Sequence, residues 1–146
     1  MLTILPSTLQ KLIDRIKIEE GFRSHAYKDT SGILTIGYGH NLEAKGISSA
    51  AANFILIEDI NYAENYLINT YPIYLKQSDV RKAVLIDMAF NLGMKLVSFQ
   101  MFWRYLAAEM YAEAAKEMLE SLWAKEVGNR AQILSFMMRE NSWPSL

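Results

Sequence analysis

The longest uninterrupted helical pattern in the sequence covers residues 48–71. It begins near Ser48, a residue type that favours helix N-caps, and it ends before Pro72, which cannot continue a helix. At about 1.5 Å per residue, a helix of this length is roughly 35 Å long. We therefore expect it to join two lobes rather than to pack inside one.

The segments on either side of this helix differ in character. Upstream, Ser7 is a candidate N-cap for an amphipathic helix that ends at Gly21, and the glycine-punctuated, β-prone residues 24–40 predict a small sheet. Downstream, helical periodicity predicts four further helices. They are expected near 79–92, 96–107, 111–126 and 129–140.

These patterns predict one α+β domain made of two lobes and a connector. The expected parts are a mixed N-terminal lobe over about 8–47, the connecting helix over about 48–71, and an all-helical C-terminal lobe over about 72–146. We expect residues 1–7 to pack on the C-terminal lobe.

Composition and charge exclude several classes of protein. With 51% hydrophobic and 21% charged residues, the chain is too apolar for a disordered tail, and the absence of cysteine excludes disulfides, Cys-type zinc sites and thiol nucleophiles. A net charge of −1 argues against nucleic acid as a partner. The sequence has no apolar run of about 18 residues, so no membrane span is expected, and its start lacks the basic region of a secretory signal.

Glu20 is the first candidate for chemistry, because it continues the apolar stripe of the first helix. A carboxyl on such a stripe is expected to be partly desolvated, which favours the protonated form that a general acid needs. The alternative is a solvated glutamate in the last turn of a surface helix, which sequence position alone favours.

Asp29 and Thr35 are the next candidates, in and just after a polar turn. A solvated, hydrogen-bonded Asp29 stays ionised beside a protonated Glu20, which is the pattern of an acid and base pair, and the Thr35 hydroxyl could hold a water beside it. The alternatives are a turn-forming aspartate and a β-branched strand residue.

Asp59 lies on the inner stripe of the long helix and needs a partner, which His40 or a basic residue could supply. We expect an ion pair between His40 and Asp59. The two histidines, His25 and His40, do not have zinc-site spacing, so no metal is expected. The methionines and aromatics of the last third are expected to form core, and a partner-binding methionine groove is the alternative.

Three stretches then carry a resemblance to a known family. Glu19–Arg23, Tyr27–Gly32 and Leu34–His40 resemble the active-site region of phage-type lysozymes, the muramidases of glycoside hydrolase family 24, and especially the subgroup typified by the T-even phage enzyme. The similarity extends over nearly the whole chain. Further matching positions are Ile47–Ser48, Arg81–Ala83, Phe90–Gly93, Glu113–Ala115, Trp123 and Asn129–Ala131.

The resemblance implies a lysozyme-like fold and assigns roles to the catalytic candidates. Glu20 would protonate the glycosidic oxygen, Asp29 would act as base or electrostatic stabiliser, and Thr35 would help to hold the attacking water. Family members mostly invert, a route that needs the two carboxyl groups roughly 6.5–9.5 Å apart. Arg130 would contact Glu20 from the other lobe.

The resemblance also implies four saccharide-contacting positions. They are Phe90, Asn41, Phe102 and Glu117, and the last three differ from the family's usual residues. The segment between His40 and Ser48 is shorter than in the T-even subgroup, so one wall of the cleft is expected to be lower or differently built.

The expected function is a monomeric muramidase that cleaves the β-1,4 bond between N-acetylmuramic acid and N-acetylglucosamine in peptidoglycan. No cofactor is expected, since acid–base catalysis on a sugar acetal needs only carboxyl groups and water. A phage endolysin, which would accumulate in the host cytoplasm and reach the wall after membrane permeabilisation, and a bacterial wall-remodelling domain both fit. The rival classes are a wall-binding module that keeps the fold and a helical adaptor.

Overall fold

The computed structural model describes residues 3–145, which form two compact units. The units are Met1–Asn53 and Phe54–Leu146, so the boundary between them falls inside the predicted long helix. The lobe limits predicted above stay a prediction. The packing of residues 1–7 on the C-terminal lobe also stays a prediction. Of these residues, Met1 and Leu2 lie outside the described part of the chain.

The N-terminal unit opens with helix α1, Pro6–Glu20, which ends at Gly21 as predicted. The expected N-cap at Ser7 is wrong, because the helix begins at Pro6 and its N-cap is Leu5, two residues before Ser7. Pro6 occupies the first helical turn, where a missing N–H costs nothing and the fixed φ suits the helix, and the preceding Leu5 makes no side-chain cap.

A three-stranded antiparallel sheet follows and confirms the predicted small sheet. Its strands are β1 (Arg23–Lys28), β2 (Leu34–Gly37) and β3 (His40–Asn41), arranged in the order β1-β2-β3. Thr35 occupies the central strand, paired with Tyr27 on one side and Asn41 on the other.

Helix α2 (Leu42–Lys45) follows the sheet within the N-terminal unit, and α3 (Ser49–Thr70) begins in that unit and ends in the C-terminal unit. The Asn41 side chain caps α2 by accepting a hydrogen bond from Ala44 N at 2.9 Å. The prediction of a long helix over 48–71 is confirmed by α3. It gives way to a 3₁₀ segment, Pro72–Lys76, because proline cannot donate the next helical hydrogen bond.

In the C-terminal unit, helices α4 (Asp79–Leu92) and α8 (Asn129–Glu140) lie where they were predicted. The predicted helix 96–107 is instead a 3₁₀ segment, Gly93–Ser98, followed by α5 (Gln100–Ala107). With the remaining helices α6 (Tyr111–Glu120) and α7 (Leu122–Val127), the architecture confirms the predicted α+β class. Within residues 3–145, no single helix is both long and apolar enough to cross a membrane.

The predicted helix 111–126 is also broken, at Ser121 between α6 and α7. The Ser121 hydroxyl donates to Met118 O at 2.6 Å and accepts from Ala124 N at 3.1 Å. One hydroxyl therefore bonds the last turn of α6 and caps α7. This arrangement favours a new helix start over continuation.

The apolar core lies in the C-terminal unit, whereas Thr35 is the one buried residue of the N-terminal unit over residues 3–53. Met88, Met118, Met137 and Met138 are buried, as predicted for the methionine-rich last third. Met94, Met101 and Met110 are exposed, so that prediction holds only in part.

Arg81 joins α4 to the end of α8. Its Nε donates to Met138 O at 2.9 Å and its Nη2 to Arg139 O at 3.4 Å, while the guanidinium carbon lies 3.4 Å from the centre of the Tyr111 ring. A cation at these last carbonyls also complements the negative end of the α8 dipole. Arg81 is therefore both a C-cap and a packing residue.

We expect Arg81→Ala to lower the free energy of unfolding by about 2 kcal/mol, because it removes two hydrogen bonds and a cation–π contact. Chemical denaturation followed by circular dichroism measures this change. Lys82→Ala is the control, since Lys82 Nζ makes only a 5.8 Å contact with the Tyr74 ring. A deficit no larger than that of Lys82→Ala would contradict this role.

Candidate active site

The Glu20 carboxyl lies at the end of α1, against the turn Tyr38–Gly39 that joins β2 to β3. A Cβ atom added at Gly39 would lie 2.6 Å from Glu20 Oε2. The expected partial desolvation of Glu20 is wrong, because α1 has no buried residue and Glu20 is exposed. The carboxyl reaches past the helix end onto the turn instead of staying within an apolar stripe.

Tyr38 packs the same turn against the end of α1. Its ring lies 5.3 Å from the Phe22 ring, centre to centre, and Lys17 Nζ lies 5.4 Å above it. Aromatic and cation–π contacts at these distances are favourable. The structure therefore brings Glu20 to the sheet that carries the other two catalytic candidates.

Asp29 sits in the turn between β1 and β2 and accepts two backbone hydrogen bonds. Ser31 N and Ile33 N donate to Asp29 Oδ1 at 2.8 and 2.9 Å, and Gly32 N donates to the Asp29 carbonyl at 2.9 Å. Asp29 therefore has the hydrogen-bonded environment expected of the catalytic candidate and also the turn-forming role given as its alternative. Since both side-chain bonds end on Oδ1, Oδ2 is the oxygen available to a water.

Thr35 is only 4% exposed, and its Oγ1 donates to Ile33 O at 3.0 Å. The hydroxyl proton is therefore in use, and the remaining capacity of Oγ1 is to accept. Its setting on the central strand fits the strand-former alternative, and a water beside it would have to donate to it.

His40 and Asn41, on β3, each have a partner in their own unit. His40 Nε2 donates to Gly46 O at 2.6 Å, which places the proton on Nε2 because a carbonyl can only accept. Asn41 Oδ1 caps α2. Asp59 belongs to the other unit, so its ion pair with His40 stays a prediction, as does saccharide binding by Asn41.

Arg130 pairs with Asp87 in the C-terminal unit. Its Nε donates to Asp87 Oδ1 at 2.7 Å, and both side chains are 38% exposed. Sequence reasoning missed Asp87, although it lies three residues before Phe90 and so on the same side of α4. The contact of Arg130 with Glu20, which belongs to the other unit, stays a prediction.

Phe90, Asp87 and Arg130 line one groove of about 330 Å³, floored by aliphatic side chains of α3 and α4. Phe90 is 44% exposed, which suits a cleft residue. Glu117 is half-buried and lines a separate groove of about 920 Å³ that contains Phe99 and Trp123.

The expectation for Phe102 is wrong. Its side chain is fully buried, with its ring 5.3 Å from that of Trp103 and 6.3 Å from that of Phe99, so it presents no surface to a saccharide. Its place in an aromatic cluster makes it a core residue.

Among residues 3–145, no three or more His, Asp or Glu side chains converge in a way suited to a metal ion. The candidate chemistry in the N-terminal unit rests on two carboxyl groups and a hydroxyl around one small sheet.

Comparison with known proteins gives the chain's relatives. It is 28% identical over 150 residues to "Probable T4-type lysozyme 1" of Dictyostelium discoideum, which covers 81% of this chain and 87% of that protein. It is 32% identical over 130 residues to "Endolysin" of Salmonella phage P22, covering 84% and 86%. A third relative, "Endolysin" of Acyrthosiphon pisum secondary endosymbiont phage 1, is 30% identical over 137 residues, with 90% of each covered. The family model described as Phage lysozyme matches residues 17–140, so this chain belongs to the phage lysozyme family.

Proposed function

We propose that this protein is a muramidase that hydrolyses the β-1,4 bond between N-acetylmuramic acid and N-acetylglucosamine in peptidoglycan. Membership of the phage lysozyme family supports a peptidoglycan hydrolase. The observation that carries the finer assignment is the position of the Glu20 carboxyl against the turn of the sheet that holds Asp29 and Thr35.

In this proposal Glu20 is the general acid. It transfers its proton to the glycosidic oxygen as the bond from that oxygen to the anomeric carbon breaks. The leaving sugar thus departs as an alcohol, and Glu20 becomes a carboxylate. The exposure of Glu20 leaves room for a saccharide to reach it.

Asp29 and Thr35 prepare the attacking water. The water donates one hydrogen to Asp29 Oδ2 and the other to Thr35 Oγ1, whose own proton is held by Ile33 O, so a lone pair of the water is left for the anomeric carbon. Its proton passes to Asp29 as the new C–O bond forms. Attack by water from the opposite face inverts the anomeric carbon.

Other residues supply contacts and support. We propose that Phe90 stacks against a sugar, and that Asn41 and Glu117 contact the glycan at the edges of its path. Arg130, held by Asp87, is proposed to contact Glu20, and His40 to pair with Asp59. The protein is proposed to act as a monomer.

We infer a role in bacterial cell lysis, in which the enzyme acts on the wall from the host cytoplasm after the membrane is permeabilised. The relatives named endolysin support this role. Wall remodelling by a bacterial domain is the second candidate. A wall-binding module without activity is disfavoured, since binding alone does not need an acid, a carboxylate and a hydroxyl around one sheet.

We expect Glu20→Gln to lower the rate of lysis by at least ~10²-fold, because it keeps the shape of the side chain and removes its transferable proton. The measurement is turbidity loss of outer-membrane-permeabilised cells. Glu19→Gln is the matched control, because Glu19 is the preceding residue of α1 and its Oε1 pairs with Arg15 Nε at 2.9 Å within the helix. Lysis by Glu20→Gln within a few-fold of the parent would overturn the assignment.

Two substitutions at Asp29 separate its turn role from its chemical role. Asn keeps a side-chain oxygen for Ser31 N and Ile33 N, so Asp29→Asn should unfold like the parent, whereas Asp29→Ala should lose about 1–2 kcal/mol of stability. Both should abolish lysis, because neither accepts a proton from water. If Asp29→Asn lyses cells normally, Asp29 is only a turn residue.

The rate of lysis should change little between low salt and about 0.2 M salt. A chain of net charge −1 gains little long-range attraction to an anionic wall. Salt, which screens charges over about 8 Å, therefore has little attraction to remove. A turbidity assay across a salt series at fixed pH measures this. A Glu43→Lys, Glu58→Lys double variant, with a net charge of +3 from −1 plus two changes of +2, should slow as salt rises. A steep fall in the parent's rate would instead show that a local basic patch, such as Lys28, Arg104 and Arg130, governs association.

A further inference from the structure

Gly39, in the β2–β3 turn, lies directly against the Glu20 carboxyl. A Cβ atom added there would lie 2.6 Å from Glu20 Oε2, 2.9 Å from Cδ and 3.4 Å from Cγ. Real Cβ atoms essentially never approach other heavy atoms to within 3.0 Å. The Glu20 side chain therefore occupies the volume that any larger residue at position 39 would fill.

This contact distinguishes Gly39 from the other glycines of the chain. At each of the other six, nothing lies within 4 Å of an added Cβ. Gly37, two residues earlier on β2, has a φ of +66°, close to the +71° of Gly39. Backbone conformation alone thus favours glycine at both positions, and the neighbouring carboxyl is particular to Gly39.

The turn is held to α1 independently of Gly39. Tyr38 contacts Phe22 and Lys17, on either side of Glu20 in the sequence. Because these contacts hold the turn to α1, we expect the clash with a side chain at position 39 to be relieved at Glu20 rather than by movement of the turn. The movement falls on the side-chain torsions of Glu20, which are flexible and exposed.

We propose that Gly39 is a positioning residue for the general acid: the absence of its side chain lets the Glu20 carboxyl rest on the turn, beside the sheet of Asp29 and Thr35. This inference rests on the proposed role of Glu20. A methyl group at position 39 costs the fold little beyond backbone strain, because a side-chain end can move. It displaces the acid, and a misplacement of about 1 Å can cost about 10²-fold in rate.

The test compares Gly39→Ala with Gly37→Ala. Both place alanine at a positive φ in the same strand and turn, so both should lower the midpoint of chemical denaturation by similar amounts. On a soluble peptidoglycan fragment, Gly39→Ala should lower kcat at least ~10-fold with KM within about 2-fold, whereas Gly37→Ala should keep kcat within a few-fold. Equal losses of kcat in the two variants would overturn the inference.

A second measurement needs no substitution at position 39. In the parent protein, a nuclear Overhauser effect is expected between Gly39 Hα and Glu20 Hγ, and its absence would overturn the inference even if Gly39→Ala did not fold. Glu20→Gln separates the two proposals. If Glu20→Gln is inactive while Gly39→Ala and Gly37→Ala lose kcat equally, only the positioning role of Gly39 fails. If Glu20→Gln lyses cells normally, the proposed role of Glu20 fails as well.

Discussion

Hydrogen-bonded turns, rather than a buried interior, hold the N-terminal unit together. Thr35 is its one buried residue within 3–53. In place of a core, the unit has the Asp29 turn, the Asn41 cap on α2 and the bond from His40 to Gly46 O. Each is a local, directional interaction between residues two to six positions apart in the sequence. Asp29 and Thr35 are therefore positioned by hydrogen bonds more than by packing, whereas the Glu20 carboxyl rests on the turn that Tyr38 packs against the end of α1.

The C-terminal unit is built in the opposite way. Its helices surround a continuous apolar core, and polar groups such as Arg81 and Ser121 act at helix ends. Side chains that face outward from this core, among them Phe90 and Arg130, can vary in chemistry without disturbing the interior. In the proposed function, the helical unit supplies contacts to the glycan, and α1 and the small sheet supply the reacting groups.

Local signals in the sequence predicted the parts of the fold that depend on neighbours in the chain. Helix α4 was placed correctly from helical periodicity that stops at Gly93, and the structure adds the Ser78 side chain as its N-cap. The break at Ser121 was missed, since helix-forming residues continue on both sides and propensity does not show that one hydroxyl bonds both helices. The start of α1 was also mispredicted. Ser7 was predicted as the N-cap because serine favours that position, whereas the helix begins at Pro6.

For the site, the sequence identified candidate residues but not the contacts that surround them. Glu20 and Gly39 are far apart in the chain, so their contact could not be seen from spacing. The saccharide role of Phe102 came from the family resemblance and is wrong because the side chain at this position is buried here, whereas the expectation that the aromatics of the last third form core holds for it. Asp87 was missed because its partner lies on another helix.

The pair of Arg130 and Asp87 has a consequence for exchange of partners. Both side chains keep more than a third of their surface in water, and ion pairs of that kind are worth only about 0–1 kcal/mol. Any second carboxylate that reaches the groove beside Phe90 competes with Asp87 on nearly equal terms. Asp87 thus orients the Arg130 guanidinium, and transfer of Arg130 to another anion loses only the small stabilisation of this ion pair.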